Sequence, residues 1–120
     1  MSETLISTLP LTERARLFKS FKASAPDASR IPVVVEPSHR SKTIKIVSKL
    51  LMKQKHTIHD VMNAMRKVLN LDKDEAMFII GEGGRILQPT VRLRDIAKGE
   101  GEDGFLYLKY QEYKSFGGRF

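Results

Sequence analysis

The stretch from Thr57 to Asn70 constrains the fold more than any other part of the chain. Thr57-Ile58-His59-Asp60 sets a hydroxyl residue three positions before a carboxylate, the spacing of a capping box. Val61, Met65, Val68 and Leu69 then recur on one face at helical spacing. The pattern predicts a helix of about three turns that Asn70 ends. Such a helix must bury its stripe on something, and short β-branched runs stand on both sides of it. Ile31-Pro32-Val33-Val34-Val35 reads as a strand, with Pro32 near its start pointing to an edge position or a bulge. Thr43 to Met52 alternates through Ile44 and Ile46 and becomes continuously apolar at Leu50-Leu51-Met52, a second strand with a break near Ser48. Ala76 to Ile80 is a third. Gly81-Glu82-Gly83-Gly84 is a hairpin turn from which Arg85-Ile86-Leu87 returns; no helix follows the glycines, as a phosphate cradle would need. Val91 to Ala97 predicts a short helix before the last strand, Phe105 to Tyr110. Before all of these, Leu11 to Ala25 predicts a helix with Thr12 as its N-cap and Leu17, Phe18 and Phe21 on one face, broken by Pro26-Asp27-Ala28-Ser29.

Two strands, one amphipathic helix and two more strands describe an α+β sheet with a helix across one face, the element order of a β-grasp. The 120 residues suffice for one compact domain with its own core. They divide into an N-terminal helical segment (1–29), a core (30–116) and a tail (117–120). No apolar run is long enough to cross a bilayer, and Met1-Ser2-Glu3 lacks the basic start of a secretory signal. The chain has no cysteine, which excludes disulfides, thiolate metal sites and a thiol nucleophile. Any thioester to this protein must use another protein's cysteine.

The formal charge is +7 and unevenly spread. Between Pro37 and Leu69 stand Arg40, Lys42, Lys45, Lys49, Lys53, Lys55, Arg66 and Lys67, opposed only by Asp60. This surface attracts acidic peptides, phosphates or anionic lipid, or is a solvated face. Aromatic residues do not interleave with it, which argues against a nucleic-acid partner. His39, His56 and His59 have no cysteine partner and no metal-ligand spacing, so neither a catalytic residue nor a metal site is expected, and no cofactor.

The tail reads Phe116-Gly117-Gly118-Arg119-Phe120. A glycine after a C-terminal strand suits a chain whose own carboxylate reacts, because a residue without a side chain can enter a narrow catalytic channel. Arg119 and Phe120 would then be trimmed first. A frayed terminus is the other reading.

Four blocks carry a resemblance that spans residues 11–117. They are Leu11-Thr12-Glu13-Arg14 followed by Phe21 and Pro26; Arg30-Ile31-Pro32-Val33-Val34-Val35-Glu36; Thr57 through Leu71; and Glu102-Asp103-Gly104-Phe105-Leu106-Tyr107 with Phe116-Gly117 beyond. In these the chain resembles the lipidated ubiquitin-like modifiers of autophagy, the autophagy-related protein eight family. The resemblance implies a ubiquitin-like β-grasp with an added N-terminal helical segment. It implies cleavage by a cysteine protease after Gly117, with Gly118 as the rival terminus. The freed carboxylate would pass through activating and conjugating enzymes to phosphatidylethanolamine, each step relaying one acyl group. The protein would be substrate and tag, cytoplasmic with a lipidated pool on autophagosomal membranes.

The resemblance also implies docking of aromatic-x-x-aliphatic motifs from receptors and adaptors, added as a strand beside the second strand. By position, Phe21, Pro32, Val34, Leu51 and Phe105 would line the aromatic pocket, with Lys49 over it. Leu50, Met52, Val61, Ala64 and Met65 would form the aliphatic pocket. Arg30 and Lys49 would meet acidic residues flanking the motif. A related modifier of the same fold, conjugated to a protein lysine, is similar in the Thr57-Ile58 helix and the aromatic-Gly terminus. The chain departs from the lipidated family at Met52-Lys53, where an aliphatic-Pro step is usual, and at His56, where an apolar residue is common.

Overall fold

The computed structural model describes residues 5–27, 29–38, 46–97 and 103–114. Three helices, α1 (Leu11–Ala23), α2 (Ile58–Leu69) and α3 (Leu93–Ile96), accompany four strands, β1 (Ile31–Pro37), β2 (Ser48–Met52), β3 (Glu75–Ile80) and β4 (Leu106–Lys114). Short 3-10 turns cover Ile6–Thr8 and Glu82–Gly84. The strands form one sheet in the order β2-β1-β4-β3. β1 runs antiparallel to β2 and parallel to β4, and β3 runs antiparallel to β4. This is the β-grasp expected from the element order.

The capping box forms as read: the Thr57 N–H donates to Asp60 Oδ2 at 2.8 Å. Two more N-terminal donors of α2 bond outside the helix, Ile58 to the Val91 carbonyl at 2.9 Å and His59 to that of Pro89 at 3.0 Å. Asn70 closes the helix in the left-handed region at φ 53°, a conformation Asn tolerates. α2 packs Ile58, Val61 and Met65 on Val33, Val35, Met77, Ile79, Leu106 and Leu108.

The opposite face of the sheet carries α1. Leu17, Phe18 and Phe21 pack on Val34 and Phe105, with Ile6, Val47 and Tyr107 alongside. β1 therefore has Val33 and Val35 under α2, Val34 under α1, and every residue buried. That explains its unbroken apolar reading, because a strand covered on both faces shows no alternation.

Four local expectations are corrected. Thr12 does not cap α1. Pro10 stands at the N-cap, its carbonyl accepting from Glu13 and Arg14 at 3.0 Å, so Thr12 falls inside the first turn. Pro32 does not mark an edge strand, since β1 is central. Pairing with β4 starts at Val33, so Pro32 lies where β1 has only β2 for a neighbour and its missing N–H breaks no ladder with β4. The second strand begins at Ser48, the position read as a break; Thr43, Ile44 and Lys45 lie outside the described residues. The return of the hairpin is a single bridge, Ile80 to Ile86, not a strand.

Candidate peptide-docking site

Residues of β2 alternate between faces, and the register with β1 shows which goes where. Lys49 lies opposite Val34, and Leu51 opposite Pro32. These four share the α1 face. Leu50 lies opposite Val33, and Met52 opposite Ile31, on the α2 face. Both proposed pockets thus meet along one strand. The sheet order leaves β2 at the edge, and among the described residues no strand pairs with its outer side.

On the α1 face Phe21, Val34 and Phe105 lie in one cluster. The Phe21 and Phe105 centroids are 6.4 Å apart, and Lys49 Nζ sits 5.3 Å from the centre of the Phe21 ring, within reach of a cation–π contact. Val34 and Phe105 are fully buried, so they form the floor, while half-buried Phe21 and Leu51 are accessible at its rim. Arg30 reaches Leu51 carbonyl with Nη1 at 3.5 Å and Asp27 Oδ2 with Nε at 3.8 Å. Its guanidinium is therefore held beside the end of β2. The Asp27 carboxyl lies below the usual carboxylate range, chiefly because the Ser29 hydroxyl donates to it.

On the α2 face Leu50, Met52, Val61 and Met65 belong to the main core. Val61 and Met65 are fully buried, so a peptide side chain reaches them only by displacing the half-buried residues above. Ala64 is half-buried and is not packed into that cluster. Arg66, counted in the basic segment, is committed elsewhere: it donates to the carbonyls of Glu75 at 2.7 Å and Asp72 at 3.0 Å. Lys49, Lys53 and Lys55 are exposed along β2 and its exit. There His56 departs usefully from the apolar residue expected. Its Nδ1 accepts the Lys53 N–H at 2.8 Å, closing the turn between β2 and α2. Phe116, Gly117 and Gly118 lie outside the described residues.

Several residues around this site were not assigned to it from sequence. Phe18 packs edge-on to Phe105 at 5.5 Å, and its helical spacing with Phe21 was the available signal. Gly104, at φ 93°, sits under that ring: a Cβ there would stand 2.7 Å from it, so glycine is required twice over. Lys22 donates to the Arg30 carbonyl, tying the end of α1 to the start of β1. Arg14 Nη1 meets Asp103 Oδ2 at 2.9 Å across 89 residues of sequence, and no local pattern announces that pair. Asp103 is buried; it also accepts the Phe105 N–H at 2.9 Å and the Tyr107 hydroxyl. Burial first, then the bond to Asp103, pushes the Tyr107 phenol far above its usual range, so it stays a donor. This knot ties α1 to the sheet beside Phe105. Among the described residues no group of three or more His, Cys, Asp or Glu is placed to hold a metal.

A β-grasp sheet with one helix across its core face, a second helix on the other and a free edge at β2 defines a ubiquitin-like domain. Comparison with known proteins agrees. Residues 14–117 match the family model described as autophagy protein Atg8, ubiquitin like. The chain is 32% identical over 108 residues to autophagy-related protein 8b of Arabidopsis thaliana, covering 88% of this chain and 87% of that one. It is 33% identical over 94 residues to autophagy-related protein 8 of Colletotrichum lindemuthianum, covering 76% of each. The crystal structure of Trypanosoma brucei ATG8 shares the fold with a TM-score of 0.76 at 24% identity, over 92% of this chain and 95% of that one. The chain belongs to the Atg8 family of ubiquitin-like autophagy proteins.

Proposed function

We propose that this protein is a lipid-conjugated modifier that recruits partners through the free edge of β2. The observation that carries the docking half is that edge. Among the described residues no strand covers its outer side, and it has an aromatic cluster on one face, aliphatic side chains on the other and Lys49 above. An extended aromatic-x-x-aliphatic motif would pair with β2 and send its two anchors to opposite sides of the strand. Acidic residues flanking the motif would meet Lys49 and Arg30.

The conjugation half is supported by family membership and by the Phe116-Gly117 pair after β4. A cysteine protease cuts after Gly117. An activating enzyme adenylates the exposed carboxylate, a conjugating enzyme takes it as a thioester, and phosphatidylethanolamine receives it as an amide. The protein is itself no catalyst in this sequence. It supplies the acyl group, and its pool divides between cytoplasm and autophagosomal membrane. In this reading residues 1–29 and 30–116 are the helical segment and the modifier core, and 117–120 the processed tail.

Intact-mass measurement of the protein from cells, wild type beside Gly117→Ala, tests this. The expected result is a species ending at Gly117 with a phospholipid adduct, absent from the variant. An adduct on a protein lysine would assign the chain to the other modifier class. A population that retains Arg119 and Phe120 under starvation would remove the conjugation reading and leave docking alone.

A further inference from the structure

A second groove lies at the far side of the sheet, away from β2. It has a volume of about 650 Å3, and Ser7, Glu36, Gly81, Leu87, Ile96 and Tyr107 are among its walls. Its origin is a mismatch in strand length. β3 pairs with β4 only as far as Ile80 opposite Lys109. Gly81 then turns away, its N–H bonded to the Arg85 carbonyl at 2.7 Å. Before Lys109, β4 has β1 on one side and the groove on the other. The Tyr110 carbonyl accepts from Ser38, toward β1. Backbone groups alternate sides along a strand, so Leu106 and Leu108 also face β1, and the N–H and carbonyl of Tyr107 face the groove.

Glu36 supplies the chemistry. It is 1% exposed, and among the described residues it accepts one N–H, from Ser7 at 2.9 Å. Among the described residues no cationic side chain lies within ion-pairing distance of it. Its register partner Lys109 is exposed to solvent. Among the described lining residues Glu82 and Asp95 balance Arg85 and Lys109 in sign, so Glu36 leaves that lining net negative. A carboxylate buried without a cation is costly, and a basic group brought to it is correspondingly favoured.

We infer that this groove takes an extended partner peptide, its backbone pairing with Tyr107 and a Lys or Arg side chain crossing β4 to Glu36. The site is opposite in charge preference to the β2 edge, which favours acidic flanks. One chain can then hold an acidic and a basic segment at once, on separate edges of the same sheet.

Random heptapeptides displayed on phage, selected on the full chain, test the assignment. Selection is run with the β2 edge occupied by an excess of an acidic-flanked aromatic-x-x-aliphatic peptide. The expected winners carry a basic residue among β-forming neighbours and shift the amide signals of Phe105 to Lys109 and Gly81 to Leu87. Glu36→Gln keeps an acceptor for Ser7 and is expected to weaken binding by about tenfold or more. Replacing the peptide's basic residue with norleucine on the wild-type chain is expected to do the same, a readout that does not depend on the folding of a variant. No enrichment, shifts confined to β2, or equal binding of the norleucine peptide would overturn the proposal. Concentration-dependent self-association with the same amide shifts would assign the groove to a second copy and also overturn it.

Discussion

The two faces of the sheet are built on different principles. Under α2 lies a close-packed core of fully buried side chains such as Val33, Val61, Met65, Ile79 and Leu108, with the Tyr110 hydroxyl bonded to Ile46. Under α1 the buried hydrophobic cluster is smaller, Ile6, Val34 and Phe105, and half-buried Leu17, Phe18, Phe21, Val47 and Tyr107 pack around it. α1 is held instead by a few polar ties: Arg14 to Asp103, Lys22 to the Arg30 carbonyl, and Tyr107 to Asp103. The first face gives stability and the second gives an adjustable surface. A recess whose aromatic rim is only half covered accepts a foreign side chain at less cost than a close-packed core does. Under the proposed function, this difference is what would let one small sheet serve both as a rigid tag and as a docking module.

The sharpest way to break that contrast is a matched pair of truncations. Met65→Ala is expected to cost about 3 kcal/mol, because the site is fully buried and collapses only partly. Phe18→Ala is expected to cost about 2 kcal/mol, less than its size implies, since its ring is partly solvated. Urea titrations of both variants measure this. Equal losses would mean that the α1 face is core like the other.

The polar knot comes next. Asp103→Asn keeps an acceptor for the Phe105 N–H but leaves Arg14, 23% exposed at its side chain, without its counter-charge. A loss of about 2 kcal/mol is expected. A double-mutant cycle with Arg14→Met should recover a coupling of about 1 kcal/mol. Additive losses would show that the pair does not hold α1. Lys49→Glu probes function mainly. It should cost no more than the roughly 0.5–1 kcal/mol of the exposed cation–π contact with Phe21 and weaken an acidic-flanked aromatic-x-x-aliphatic peptide about tenfold, mostly through repulsion. An unchanged affinity by calorimetry would move the docking edge away from β2.

How far these features were legible depends on the range of the contacts behind them. α2 was read with its cap and its stop because a capping box and an Asn C-cap are local. The β-grasp followed from element order. Pro32 misled because its rule concerns a neighbour about 70 residues away in sequence, and β4 pairs only from Val33 onward. The extension of β4 to Lys114 was missed because Gln111 and Glu112 break the apolar alternation while pairing with Phe78 and Met77. The docking positions came from resemblance, and the register then sorted them onto two faces. Asp103, Arg14 and the burial of Glu36 had no local signature, since each is defined by an element brought in from elsewhere in the chain.

The smallest effect concerns the α2 cap, a polar device on the mainly apolar side. The Asp60 carboxylate is held below its usual range, first by the Thr57 N–H and then by the Thr57 hydroxyl, with lesser help from His56 and His59. A lowered folded-state pKa means that the unfolded chain binds this proton more readily. The contribution is therefore fully present above about pH 4, the ordinary aspartate range, and fades as pH falls through the folded value. Asp60→Ala should cost about 1 kcal/mol near neutrality, the usual worth of a cap. The gap to wild type should close as urea midpoints are followed downward from pH 5. Because Ile58 and His59 also donate to the Val91 and Pro89 carbonyls, helix entry survives the substitution. A gap that persists unchanged at the lowest pH would show that Asp60 acts through packing and not through its charge.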